Sequence, residues 1–331
     1  MTKLEDLRKM KAIYYDGSKA CYREDLPIPQ CTEGHSLIRI MAANICNTDR
    51  EIMKGYTPGF CGVMGHEFVG EVTESSDESL VGKLVVGELN EGCGDCVYCR
   101  TGREKHCLSA KAIGISKDGC FAEYMTQATH LLHKIPKGLS VEQAIFTEPL
   151  AAALQISKQV HIDPSLNAAV IGDGRLAFMI AQVLALNGIS MTVIGKHPEK
   201  LALFQDFADT VLYQDYFEAG KMRSLTGDEC FEYVIEASGN PTGIHLALCL
   251  VRRAGTIILK STYTEQTTLD LSQIAVNEIT VVGSRCGPFE PALKLLKEGR
   301  VRFPDVEWHE LKDFEKAFAS PAFKAGFRIG I

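Results

Sequence analysis

Four cysteines, Cys93, Cys96, Cys99 and Cys107, stand in the run NEGCGDCVYCRTGREKHC with the spacing C-x2-C-x2-C-x7-C. Four thiolates complete a closed tetrahedral zinc site, and short gaps let one loop supply them all without a long closure. An iron–sulfur cluster shares the first three positions, but its fourth cysteine comes sooner and is followed by proline. Disulfides are disfavoured because MTKLEDLRKMKAIYY is charged from the start and lacks the apolar stretch of a secretory signal, which points to a reducing cytoplasm. A structural zinc lobe is therefore expected over about residues 90–108.

A second set of metal-ligating types is scattered through the first half: Cys46 in NICNTDREI, His66 and Glu67 in GVMGHEFVGEV, and Glu148 in FTEPLAAALQI. Singly, each has an ordinary explanation, since buried cysteines behave as small hydrophobes and lone histidines as core or surface residues. Together they form the mixed sulfur, nitrogen and oxygen set of a catalytic zinc, which keeps one position open. Two zinc ions per chain are expected.

The third chemical signal is AAVIGDGRLAFMIAQVLALNG. It places a short apolar strand, the turn Gly172-Asp173-Gly174-Arg175-Leu176-Ala177 and an apolar helix in the order of a dinucleotide fingerprint. Gly172 permits the tight turn, Gly174 lets the backbone approach a pyrophosphate, and Ala177 allows close helix packing, with Arg175 and Leu176 opening the helix whose N-terminus receives phosphate. About 20 residues on, an acidic side chain normally reads the ribose of NAD. Gly195, followed by Lys196 and His197, stands there instead. No carboxylate repels a 2′-phosphate and a lysine is placed to meet one, so NADP is favoured over NAD, although a solvated loop lysine has the same appearance.

The elements that must position these residues change character near residue 150. Before it come short β-type runs punctuated by glycine, SLIRIMAANI, EFVGEV and KLVVGEL, which read as an irregular, mostly β domain. After it, AAVIG, RLAFMIAQVLALNG, MTVIG, a helix from Pro198 to Asp206, YVIEASG and TIILK alternate as strands and helices. That alternation predicts an α/β, doubly wound parallel sheet. Ser238 and Gly239 follow a strand end that faces the cofactor crevice of such a sheet, and are expected at the cofactor. At 331 residues, 46% hydrophobic and 23% charged, the chain supports two cores. A formal charge of -7 argues against nucleic acid, and no apolar run reaches the ~18 residues of a membrane span. Cys21, Cys31, Cys61, Cys120, Cys230, Cys249 and Cys286 have no ligand spacing and read as packing residues.

The order Cys46-x-Thr48-Asp49, Gly65-His66-Glu67, the four-cysteine lobe, Glu148-Pro149-Leu150-Ala151 and the glycine fingerprint resembles the zinc-dependent medium-chain alcohol dehydrogenase superfamily, over nearly the whole chain. It is most similar to the branch of sorbitol, threonine and archaeal-type glucose dehydrogenases, because glutamate rather than cysteine occupies the late ligand position. The resemblance implies a GroES-like catalytic domain at residues 1–151, a Rossmann domain at 152–284, and a C-terminal return at 285–331. It implies hydride transfer between an alcohol, whether sugar, polyol or simple alcohol, and NAD(P), with zinc held by Cys46, His66 and either Glu67 or Glu148. It also implies Thr48 as proton relay and places Arg285 near the cofactor phosphates. Asp49 reads equally as an orienting residue or a surface turn residue, and Arg50 and Tyr56 as cleft or surface. A small-molecule alcohol or carbonyl substrate and a homo-oligomer, dimer or tetramer, are expected. A zinc-free quinone or enoyl reductase on the same scaffold and a non-enzymatic nucleotide-binding zinc protein are the alternatives.

Overall fold

Alternating apolar residues and frequent glycines make the first half a set of short strands. The computed structural model describes residues 8–214 and 230–330. Its first strands are β1 (Lys9–Tyr15), β2 (Ala20–Pro27), β3 (His35–Asn44), β4 (Gly62–Val63), β5 (Glu67–Ser75) and β6 (Leu84–Gly87), then β7 (Asn90–Glu91), β8 (Lys111–Ala112), β9 (Tyr124–Ala128) and β10 (Leu132–Lys134). The second half supplies β11 (Ala168–Ile171), β12 (Met191–Gly195), β13 (Asp209–Leu212), β14 (Phe231–Glu236), β15 (Val251–Leu259) and β16 (Thr280–Gly283). Two strands follow near the C-terminus, β17 (Val306–His309) and β18 (Lys324–Arg328).

By contacts the chain forms two compact units, Met1–Glu148 with Phe289–Ile331, and Pro149–Pro288. These bounds differ by a few residues from the expected 151 and 285. The helix Thr147–Gln159 runs through the first of them, so the division falls within its first turn. Within the first unit, β10-β6-β5-β3-β18-β17 form one sheet with β9 also on β3, β2-β1-β4 form a second, and β7-β8 a third. The C-terminal segment is built into this unit by antiparallel pairing of β18 with β3, which sets Gly326 against Asn44. Ile13, Ile38, Ile40, Phe68, Phe121 and Phe327 fill its core, and Phe121 meets Phe327 edge to face with ring centroids 5.0 Å apart. Each such side chain contributes about 1.5–3 kcal/mol by leaving water.

The second unit is a six-stranded sheet in the order β13-β12-β11-β14-β15-β16, and every neighbouring pair is parallel. The order reverses at β11, the strand that leads into the glycine turn, and ligands of open α/β sheets bind at such a reversal. The helix Arg175–Leu186 buries Ala177, Phe178, Met179, Ile180 and Leu184. The segment expected as a helix from Pro198 to Asp206 is shorter: an α-helical turn over Pro198–Leu201 tightens into a 3-10 turn over Ala202–Phe204. Phe204 points inward and packs edge-on against Phe178 at 5.3 Å. No helix among the described residues is long and apolar enough to cross a membrane.

Candidate metal centres and cofactor turn

Cys93, Cys96, Cys99 and Cys107 are gathered with their sulfur atoms all within 4.8 Å of one another. The helical turn Val97–Arg100 and the 3-10 turn Glu104–His106 fold the intervening chain back on itself. Glu104 closes the loop from outside the ligand set, accepting from the Gly92 amide at 2.7 Å and facing His130 Nε2 at 3.1 Å. Backbone N–H groups of Asp95 and Cys96 draw the Cys93 thiol down to about 7. Desolvation, reinforced by the neighbouring Cys96 thiol, pushes Cys99 up to about 12. Thiols packed this closely cannot all ionise unaided, and a divalent cation supplies the charge that lets them. The site fits a closed tetrahedral zinc.

Cys46, His66 and Glu67 form the second group, again with ligand atoms within 4.8 Å of one another. Cys46 precedes the helix Asn47–Met53, and its backbone N–H donates to Asp49 Oδ2 at 2.7 Å. Asp49 is fully buried, and its other oxygen lies 3.4 Å from His66 Nδ1. It is therefore not a surface turn residue. His66 enters through Gly65, whose φ of +90° suits glycine and whose missing Cβ would lie 2.3 Å from the Phe121 ring. Burial opposes a charge on His66, but Asp49 and Cys46 outweigh it and hold its pKa well above the ordinary histidine range. Asp49 Oδ1 and His66 Nδ1 are buried without a well-formed hydrogen bond. A sulfur, an imidazole oriented by a carboxylate, and a second carboxylate sealed together suit a cation.

The other expected residues fall in different places. Thr48 is half-buried, with Oγ1 3.7 Å from Cys46 Sγ. Glu148 is half-buried in the first turn of Thr147–Gln159 and is not brought into the Cys46 group. Arg50 donates to the Phe318 carbonyl from Nε and Nη2 at 3.3 and 3.2 Å. Sequence reasoning missed Lys324, whose Nζ lies 2.6 Å from Glu67 Oε2 with both side chains buried. No local pattern announces it, because β18 brings it from the far end of the chain. Cys61 and Cys249 are exposed and do not serve as packing residues; Cys61 Sγ instead lies 3.1 Å from the Tyr14 hydroxyl.

In the second unit, Gly172 has φ +120°, and a Cβ there would lie 2.6 Å from the Ala237 carbonyl oxygen. A Cβ on Gly174 would meet open space. Arg175 and Leu176 are half-exposed at the helix start, and Ala177 is fully buried. Gly195 ends β12 buried, with Lys196 and His197 exposed beyond it. The Lys196 ammonium lies 5.1 Å above the Tyr213 ring. Asp173, from the glycine turn itself, accepts at Oδ2 from the amides of Lys196 and His197 at 2.6 and 2.8 Å and lies 3.0 Å from His197 Nδ1. Burial opposes ionisation of Asp173, but these donors hold its carboxyl below the usual range. Ser238 donates to Glu236 Oε1 from its amide and hydroxyl at 2.9 and 2.5 Å, while the Gly239 amide donates to Ser261 Oγ at 2.8 Å. Arg285 is exposed just past β16.

Residues 32–137 match the alcohol dehydrogenase GroES-like domain, and residues 176–298 match the zinc-binding dehydrogenase domain. An L-threonine 3-dehydrogenase of Bacillus velezensis is 30% identical, over 94% of this chain and 95% of its own. The chain belongs to the zinc-type medium-chain alcohol dehydrogenases. An erythritol/L-threitol dehydrogenase of Mycolicibacterium smegmatis is 28% identical over 93% of both chains. The solved alcohol dehydrogenase TADH of Thermus sp. ATN1 superposes with a TM-score of 0.85 at 26% identity, over 96% of this chain and 99% of its own. As a member of this family the protein is a zinc-dependent oxidoreductase that moves hydride between an alcohol and a nicotinamide cofactor. That sets aside the zinc-free reductase and the non-enzymatic alternative.

Proposed function

We propose that the protein is an NADP-linked dehydrogenase of a polyol, sugar or similar small alcohol, with one structural and one catalytic zinc per chain. The observation that carries this reading is the group of half-buried Cys46 with buried His66 and Glu67, with Asp49 aligning the imidazole. Cys46 and His66 hold the catalytic ion, with Glu148 or Glu67 as the carboxylate partner, and the four cysteines of the lobe hold the other. When bound, the metal stabilises negative charge on the substrate oxygen and the nicotinamide accepts hydride. The chain's own residues do the rest. Asp49 fixes the ring and tautomer of His66, which keeps the ligand in place. Thr48, with one donor and two acceptor sites beside Cys46, takes the hydroxyl proton and passes it outward.

The cofactor reading rests on Gly172, Gly174, Arg175 and Leu176 at the phosphates and on Gly195, Lys196 and His197 at the ribose. Ser238 and Arg285 supply further contacts. With no carboxylate on residue 195 and the Asp173 charge taken up by the Lys196 and His197 amides and the His197 ring, the exposed Lys196 ammonium is the cation left to face a 2′-phosphate. The threonine and erythritol/threitol enzymes among the relatives favour a substrate with vicinal polar groups. All twelve cysteines are free, including exposed Cys61, Cys93 and Cys249, which suits a reducing cytoplasm. Among the described residues β16 is an edge strand, with Val281 39%, Leu271 68% and Val276 80% exposed nearby. A second copy joined antiparallel across this edge would cover both the unpaired backbone and the apolar side chains, giving a homodimer or a tetramer built from it.

The test is a panel of polyols, sugars, amino alcohols and alkanols with each cofactor, alongside metal analysis and light scattering. Expected are two zinc ions per chain, a preference for NADP and an oligomer. Lys196→Ala should weaken NADP by about 1–3 kcal/mol and leave NAD unchanged, the scale of a charge-assisted hydrogen bond. One metal per chain, tighter binding of NAD, or equal loss with both cofactors overturns the corresponding part.

A further inference from the structure

The sheet order β13-β12-β11-β14-β15-β16 puts β11 to β13 on one side of the reversal and β14 to β16 on the other, and a dinucleotide spans such a crevice with one mononucleotide over each half. With the adenosine ribose assigned to the end of β12, the nicotinamide half falls over the carboxyl ends of β14, β15 and β16. Lys260 stands just past β15, its amide donating to the Glu236 carbonyl at 2.9 Å, and the Ser284 amide just past β16 donates to the Leu259 carbonyl at 2.9 Å. Lys260 is only 8% exposed. Its ammonium donates to the Ala152 carbonyl in the helix Thr147–Gln159 at 2.7 Å and to Ser284 Oγ at 3.3 Å. Two residues after Ser284, Cys286 has φ +40°, a left-handed conformation that side chains rarely adopt. A Cβ on Gly287 would lie 1.8 Å from the Ala151 carbonyl oxygen, so the turn backbone touches the helix there. Lys260 therefore bonds to both sides of one contact, the helix at Ala152 and the turn at Ser284.

We infer that Lys260 is a positioning residue for the nicotinamide half of the cofactor: it staples the turn from Ser284 to Gly287 onto the helix and holds Cys286 in its strained conformation, so that the wall beside the nicotinamide is set before the cofactor arrives. The inference rests on the cofactor reading proposed above. Burying an ammonium is costly, and the cost is offset only where its hydrogen bonds are made. The long lysine stem spans the gap from β15 to the helix, and three N–H donors let it bond to helix and turn at once. Without these bonds the left-handed Cys286 loses a restraint and relaxes. The cofactor must then reorder the turn as it binds, which weakens the share of affinity that the nicotinamide contributes. Contacts at Gly172, Gly174 and Lys196 belong to the other half of the cofactor and keep their strength.

NADPH and 2′-phospho-ADP-ribose, the same molecule without its nicotinamide, separate the two halves, and NADH with ADP-ribose, run in parallel, covers either cofactor preference. Binding to the full-length protein is read by calorimetry, and the emission of bound reduced nicotinamide reports the surroundings of the ring. Lys260→Met should weaken NADPH and NADH about tenfold, the lower end of what hydrogen bonds from a charged group support, and change either fragment less than about twofold. The bound nicotinamide emission should move toward that of free cofactor. Adding Cys286→Gly to Lys260→Met places at this position the residue that adopts its conformation without strain, and should recover most of the loss. Ser284→Ala removes the bond to the turn and leaves the ammonium on the helix; it folds independently of the fate of Lys260→Met and should show the same split at about threefold. Cofactor and fragment weakened equally would make Lys260 a structural residue and overturn the inference, as would wild-type cofactor affinity in Lys260→Met or Ser284→Ala. A loss that Cys286→Gly does not recover overturns it too. A wild type that binds none of the four molecules would instead overturn the cofactor reading, and this inference with it.

Discussion

The absence of a carboxylate on residue 195 suggests a simple redesign, Gly195→Asp, to turn the enzyme toward NAD, and the structure predicts that this change by itself fails. A Cβ at Gly195 would lie 2.7 Å from both Cβ and Oδ2 of Asp173 and 2.8 Å from Leu201 Cδ2. Asp173 must give way, and with it go the acceptor contacts at 2.6, 2.8 and 3.0 Å that hold the turn after β12. Hydrogen bonds to a charged acceptor contribute about 1.5–3 kcal/mol each, but these three share one oxygen and are partly accessible, so a combined loss of about 2–4 kcal/mol is reasonable. For a unit of this size that corresponds to a fall of roughly 5–10 °C in Tm. Calorimetry and titration of each cofactor by fluorescence are the measurements. Gly195→Asp should melt early and bind both NADP and NAD more weakly. Gly195→Asp/Asp173→Ala should recover stability and favour NAD, because the new carboxylate takes the vacated place without the clash. A single variant with wild-type Tm and improved NAD binding would refute the idea that Asp173 organises this loop.

Asp173 also carries a pH signature. Its folded pKa is depressed, so its charge stabilises the protein above the unfolded value of about 3.9 and is lost as pH falls through the lower folded value. The gap in Tm between wild type and Asp173→Asn should persist at neutral pH and close below about pH 4. Cys99→Ser should lose one metal per chain and more than about 4 kcal/mol of stability, measured by metal analysis and unfolding, because the lobe has little to hold it besides its ion. Asp49→Asn should keep the fold but lower turnover or zinc affinity by about 10–100-fold, read from kinetics and chelator competition, since the amide no longer aligns His66 as a carboxylate does. An Asp49→Asn enzyme with unchanged turnover and metal affinity would remove Asp49 from the site.

What the sequence determined by itself is what lies close along the chain. The four cysteines fall within one loop, so their spacing alone predicts the cluster that the fold assembles. The strand, turn and helix around Gly172 are likewise consecutive, and hydrophobic periodicity places them because short-range backbone geometry decides them. Cys46, His66, Glu67 and Glu148 were legible as a set through residue types and order, but spacing could not say which of them meet. That was decided by strand pairing, which draws Cys46, His66 and Glu67 together and leaves Glu148 outside their group. The two most consequential polar contacts were decided only in three dimensions. Asp173 stands between two glycines of the turn, and its partners are set only because β12 runs parallel to β11 and brings the amides after Gly195 against its carboxylate. Lys324 carries no local signal, and only the pairing of β18 with β3 buries its ammonium against Glu67. A side chain's charge is written in the sequence, but its partner, and therefore its energy, depends on which distant strand lies beside it.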